Sequence, residues 1–262
     1  MSTANIHSTA IVHPGALIKE DVCIGPYTVI GEHVTLEAGV CIASHVSIEG
    51  YTSIGEESRI FSKACIGSDP QDLKYEPCES YVRIGARTQV REFVTINPGT
   101  NAGEVTQVGN DCLLMAYTHV AHNCTLGNHV IMANVATLAG HVEVNDFAVI
   151  GGLVAVHQFV HIGEHVMVGA STMVLQDILP FALISGNPAT MKGINNVGLK
   201  RRGFPEEERL AIKKAYRFIF SSQLTLDHAL EEIYKQWPSL DPNIQKICHF
   251  LEESRSKRGF SR

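Results

Sequence analysis

The chain has 262 residues, 45% of them hydrophobic, a formal net charge of −6 and seven cysteines. That length and apolar content support a packed core in one large or two small domains, and no apolar stretch approaches the roughly 18 residues of a membrane span. An N-terminus without a basic and then apolar leader, and an odd number of cysteines with no CxxC, point to a soluble protein of the reducing cytoplasm.

Charge is divided unevenly. Residues 1–191 carry seven Lys or Arg against 18 Asp or Glu, whereas residues 192–262 carry 14 against nine. A basic piece on an acidic body suits either an acidic partner at that end or a solvated basic helix face. It does not suit nucleic acid, because the basic residues lack interleaved aromatics and the body would repel phosphate.

From Ile6 an aliphatic residue falls on every sixth position through Ile66, and the beat returns at Ile84, Val90 and Ile96 and runs from Val108 to Val174. Only Asp72, Cys78 and Ala102 break it. Four places after each beat stands a small or β-branched residue, as in Thr28, Val34, Val40, Val46, Thr52, Ser58 and Ala64, and Gly often follows the aliphatic directly. A six-residue period fits neither a helix nor a flat strand, since either would drift out of register within two or three units. It fits one flat side of a triangular coil, with three units per 18-residue turn and successive turns stacked as parallel strands. The expected fold is therefore an all-β parallel β-helix of hexapeptide repeats over residues 1–191, followed by a small helical domain over 192–262. Cys23 and Cys41 should stack in adjacent coils as two small buried thiols.

Two interruptions punctuate the coil. Residues 67–81, with Pro70 and Pro77, should leave it as a protruding loop, and residues 97–105 form a shorter Gly-containing one. Loops on a monotonous scaffold are where function concentrates. After Val174 comes an irregular connector with Pro180, Gly186-Asn187-Pro188 and Gly193. Pro205 and three glutamates then open a helix, Thr225–Tyr234 reads as a second and Pro242–Ser254 as a third. A bare coil exposes the backbone of its last turn, which these helices can cap.

The register turns residue numbers into places on a solid. The hexads starting at Val120, Leu138 and Val156 share one side of three successive coils, so His122, His141 and His157 should form a column, with His119 at the end of the preceding hexad. Such imidazoles can be surface coincidences or acid/base groups that take a proton from a hydroxyl as it attacks a carbonyl. His119-x-x-His122 and His157, His161 and His165 also imitate zinc spacings, although in hexads they occupy places that point differently.

The segments Gln71-Asp-Leu-Lys-Tyr75, His119-Val-Ala-His-Asn-Cys124, Asn134-Val-Ala-Thr-Leu-Ala-Gly-His141, Ala155-Val-His-Gln-Phe159 and Gly198-Leu-Lys-Arg-Arg-Gly-Phe204 closely resemble the UDP-N-acetylglucosamine O-acyltransferases that begin lipid A synthesis in Gram-negative bacteria. The resemblance covers essentially the whole chain. It implies a left-handed coil and a parallel homotrimer. It implies transfer of a (3R)-hydroxyacyl group from acyl carrier protein to the sugar 3-hydroxyl, with no cofactor beyond the phosphopantetheine of the carrier. By the same resemblance His122 is the general base and the Gly140 N–H the oxyanion donor. Asp72, Lys74, His119 and His141 would hold the sugar, and His157, Gln158, Asn195 and Arg202 the nucleotide, where Arg offers a bidentate fork. Ala170 and Met173 would set acyl length, and Lys200, Arg201 and Arg202 would dock the acidic carrier. The resemblance implies no metal.

Two places depart from the family pattern. Asn123 stands where an acid often follows the catalytic histidine, and Asn195-Asn196-Val197 lacks the Glu expected there. Three other functions on a hexapeptide coil compete: a sugar N-acyltransferase, which usually carries an additional N-terminal uridine-binding domain for which a beat starting at residue 6 leaves no room; a zinc-dependent hydratase; and a non-enzymatic scaffold.

Overall fold

The computed structural model describes residues 4–220, 225–237, 239, 241–255 and 259–261. Its body is a left-handed parallel β-helix whose three sides are sheets of 11, nine and eight strands, called here the first, second and third sheets. Most strands are only two residues long, one residue pointing out and the beat residue pointing in. Ile6 pairs with Ile24 and Ile24 with Ile42, the 18-residue repeat that the period predicts.

The beat residues make the core because each is wrapped by the coil above and the coil below. Ile30, Leu36, Ile48 and Ile54 are at most 1% exposed, and each such burial contributes about 1.5–3 kcal/mol. The small residues four places on are buried as well. Several of their hydroxyls bridge coils: Thr28 Oγ1 donates to the Ala43 carbonyl (2.7 Å) and Ser58 Oγ to the Gly85 carbonyl (2.8 Å), while Thr88 N–H donates to Ser58 Oγ (3.0 Å). The glycine directly after a beat serves close approach, since a β-carbon on Gly55 would come 2.6 Å from Ala86 N.

The corners turn at the residue three places past the beat, and it is left-handed almost throughout without being glycine. Asn123 has φ 61°, His141 60° and Phe159 63°. A left-handed non-glycine residue costs about 1–2 kcal/mol. At the aromatic corners ring stacking from coil to coil offsets it: Phe93 on Tyr117 (4.7 Å between centroids), His129 on Phe147 (4.7 Å), Phe147 on His165 (4.8 Å) and His141 on Phe159 (4.6 Å).

Both interruptions leave the coil between the second and third sheets. One runs from Cys65–Ile66 to Tyr81–Ile84 and the other from Thr95–Ile96 to Val105–Val108, and the two returning strands pair with each other. At the far end a hairpin of Ala182–Ser185 and Thr190–Ile194 extends the first sheet antiparallel. Then come α1 (Asn196–Arg201), α2 (Glu206–Ile219), α3 (Leu226–Gln236) and α4 (Pro242–Arg255). The last three fall where the sequence places them; α1 lies in the stretch expected to be irregular. The helices cover the last coil. The Tyr216 hydroxyl donates to the Pro180 carbonyl, and Ser254 Oγ donates to the buried Asp177 carboxylate (2.8 Å). At the opposite end Ile6, Ile11 and Leu17 are 43–66% exposed among the described residues.

Cys23 and Cys41 do stack, but Cys23 is half-buried and Cys41 exposed rather than buried, because both occupy the outward place of their strands. No helix among the described residues is long and apolar enough to cross a membrane.

Candidate active site

The corner between the second and third sheets is where the interruptions and the recognised histidines meet. Reading up the column, it carries the 67–80 loop, the 97–104 loop, then His122-Asn123, Gly140-His141 and Gln158-Phe159. Asn97, 5% exposed, ties the first loop down by donating from Nδ2 to the carbonyls of Ser68 (2.9 Å) and Asp69 (3.1 Å). Gly103 N–H donates to the Glu79 carbonyl (2.8 Å), which joins the second loop to the first. The loops form one wall beside the histidines.

His122 lies beside His141, with ring centroids 5.3 Å apart and planes nearly perpendicular. The next ring in the stack is Phe159, not His157. The three hexads do share one sheet, but His157 stands one place past its beat and turns its Nδ1–H to the Gln158 carbonyl (3.1 Å) at an exposed site. The expected column of three imidazoles is therefore two imidazoles and a phenyl ring.

Gly140 is buried under His122. Its N–H donates to no acceptor among the described residues. At another corner the equivalent N–H groups of Ala86, Asn110 and Asn128 are each taken up by an Asn or Asp side chain. Gly140 thus keeps a free donor next to the imidazole.

His122 Nδ1 is 2.9 Å from Asn123 Oδ1, and Asn123 Nδ2 donates to Glu104 Oε2 at 2.7 Å. Glu104 also accepts from the Asn101 N–H (2.9 Å) and lies 3.3 Å from Thr100 Oγ1. Burial would raise its carboxyl, but the hydrogen bonds from Asn123, Asn101 and Thr100 outweigh burial and hold it at about 2. Glu104 escaped the sequence reading because it stands in a Gly-containing interruption without a motif. The signal was its place as the last residue before Val105, where the chain rejoins the third sheet.

His119 sits in the strand before His122, its Nδ1 2.7 Å from Thr95 Oγ1. Burial first, and then the neighbouring His122, lower its pKa. The same causes lower His141, against the pull of Glu104 and Asp72, which brings the 67–80 loop electrostatically into the site. Asp72 Oδ1 accepts the Lys74 N–H (2.9 Å), a turn that leaves the Lys74 side chain exposed.

Asn195 and Arg202 lie at a different corner, between the third and first sheets. Asn195 caps α1, its Oδ1 accepting from the Gly198 N–H (3.1 Å) and its Nδ2 donating to the His165 carbonyl (2.9 Å). The Arg202 guanidinium lies over the Phe147 ring, 4.6 Å from its centroid. Lys200, Arg201 and Arg202 are all exposed. Arg201 and Arg202 edge a groove floored by Ile131, Val149, Met167 and Leu183. Met173 ends an outward row of the second sheet that runs from His119 through Thr137 and Ala155, and Ala170 is exposed at the corner before it.

Among the described residues no group of three His, Cys, Asp or Glu is placed to hold a metal ion. The histidines with zinc-like spacing have separate partners: His161 Nε2 lies 3.1 Å from Asn145 Oδ1, and His165 is buried between Phe147, Phe181 and Phe204.

The coil of hexapeptide units, with a histidine over a free N–H at one corner, defines the chain as a hexapeptide-repeat protein. Residues 15–50 and 106–140 match the family described as bacterial transferase hexapeptide, and residues 177–261 match the second domain of UDP-N-acetylglucosamine O-acyltransferase. The acyl-[acyl-carrier-protein]–UDP-N-acetylglucosamine O-acyltransferase of Chlamydia caviae is 46% identical over 98% of this chain and 92% of its own. That of Herminiimonas arsenicoxydans is 49% identical over 95% and 97%. The LpxA structure from Acinetobacter baumannii superposes with a TM-score of 0.93 at 41% identity over 98% of this chain and 99% of that one. The chain belongs to the UDP-N-acetylglucosamine O-acyltransferase family.

Proposed function

We propose that this protein transfers a (3R)-hydroxyacyl group from acyl carrier protein to the 3-hydroxyl of UDP-N-acetylglucosamine, the first step of lipid A biosynthesis, in the cytoplasm and without a cofactor of its own. The observation that carries this reading is the juxtaposition of His122 with the free N–H of Gly140, at the corner where the Asp72-Lys74 loop also arrives.

His122 Nε2 takes the proton of the sugar hydroxyl as its oxygen attacks the thioester carbonyl. The developing oxyanion meets the Gly140 N–H. Collapse of the tetrahedral intermediate breaks the C–S bond, and the departing phosphopantetheine sulfur receives the proton from the imidazolium. Asp72, Lys74, His119 and His141 line the sugar's place. The row from His119 past small Thr137 and Ala155 to Met173 spans three coil steps, about 14 Å, and offers an acyl chain a track whose end Ala170 and Met173 define.

His157 and Gln158 top the His122 corner, whereas Asn195 and Arg202 lie at another, so a nucleotide touching all four needs two chains. That division supports a homotrimer with sites between subunits. The division of labour follows the chain: the coil of residues 1–191 holds the chemistry, and residues 192–262, with Lys200, Arg201 and Arg202, receive the acidic carrier.

Mass spectrometry of products from a mixture of acyl carrier protein thioesters, coenzyme A thioesters and UDP-sugars tests the reading. The expected product is UDP-3-O-(3-hydroxyacyl)-N-acetylglucosamine made from the carrier. Products only from coenzyme A donors, or only N-acylated sugars, would contradict it.

A further inference from the structure

We propose that Glu104 is the positioning acid of the reaction, acting on His122 through Asn123. The inference rests on His122 being the general base. A histidine that takes a proton at Nε2 must carry its own proton at Nδ1, and the cation it becomes needs a nearby negative charge. Asn123 touches Nδ1 but is neutral, so the residue beside the ring supplies orientation without charge.

Glu104 completes the pair. Its ionised carboxylate can only accept hydrogen bonds, so the Asn123 atom facing it at 2.7 Å is Nδ2. The amide is thereby fixed with Oδ1 toward the ring, 2.9 Å from His122 Nδ1, and the Thr100 N–H also donates to Oδ1 (3.2 Å). An oxygen there requires a hydrogen on Nδ1, which leaves Nε2 as the basic nitrogen on the Gly140 side. When the imidazole becomes imidazolium, the amide is polarised between the ring and the carboxylate, and the charge of Glu104 is felt at one remove. Asn123 suits the relay on backbone grounds too. The place is left-handed, a conformation Asn tolerates, and its N–H is held by Thr106 Oγ1 (2.8 Å).

The test is Glu104→Gln, which keeps shape and removes charge, together with Glu104→Gln/Asn123→Asp, which places a carboxylate directly on His122 and lets the introduced side-chain amide donate to it. For the single variant kcat should fall about 10- to 100-fold with KM for UDP-N-acetylglucosamine within about twofold. The double variant should recover most of the loss. Histidine-selective 15N NMR of the unaltered protein should show His122 as the Nδ1–H tautomer. Wild-type kcat in Glu104→Gln, a loss that Asn123→Asp does not restore, or an Nε2–H tautomer in the unaltered protein would each overturn the proposal. Full turnover by His122→Ala would instead overturn the general-base reading beneath it.

Discussion

Gly140 leaves the space that the His122 ring fills: a β-carbon on Gly140 would stand 2.3 Å from His122 Cε1 and 2.6 Å from Nε2. The ring cannot share that space with even a methyl group. Gly140→Ala should therefore push the imidazole off its line to the sugar hydroxyl and lower kcat by about 100-fold, the effect of a misplacement near 1 Å. The coil's melting temperature should change little, because the corner backbone needs no glycine there. Steady-state kinetics and calorimetry on the same preparation check both halves.

His165 predicts the acid behaviour of the fold. It is 9% exposed, its Nδ1 has no hydrogen-bond partner among the described residues, and burial, followed by the charges of Arg202 and Lys246, lowers its pKa to about 4 from 6.5. Between those values the unfolded chain binds a proton that the folded chain does not. The contribution of this group is thus intact above pH 6.5 and is lost as pH falls toward 4, by on the order of 2–3 kcal/mol. His165→Phe, which continues the stack between Phe147 and Phe181, should flatten the decline in unfolding free energy over that window. An unchanged slope would refute the assignment.

Much of this was legible because the six-residue period reports which side chains point inward. The triangular coil, the 18-residue register, the shared sheet of the three histidine hexads and the start of α2 at Pro205 all follow from it or from ordinary capping chemistry. Outward residues are not constrained by the beat, so the exposure of Cys41 and the stacking of Phe159 on His141 were not. The left-handed corner residues were missed because they are seldom glycine: contacts between coils sustain them, such as the Asp111 and Leu153 N–H groups on carbonyls of the preceding coil and ring stacking at the aromatic corners. Helix α1 is only six residues long and is held by the Asn195 cap rather than by an amphipathic pattern. Glu104 reaches Asn123 because an interruption ends one coil before it, a closeness no motif encodes.

Acyl selectivity should respond to Ala170. If the chain follows the outward row toward Met173, Ala170→Gly opens its end by one methyl, and each added methylene is worth about 0.8 kcal/mol when buried. In competition among carrier-bound acyl groups the preference should move toward the longer donor by about fourfold per methylene. A variant with unchanged ratios would place the end of the track elsewhere.

The most direct test of the account is the single-turnover rate of His122→Ala with acyl carrier protein thioester and UDP-N-acetylglucosamine, measured alongside UDP-N-acetylglucosamine affinity and oligomeric state. Loss of a general base predicts a rate lower by about 10²- to 10⁴-fold, with affinity and assembly retained. Transfer at the unaltered rate would contradict it.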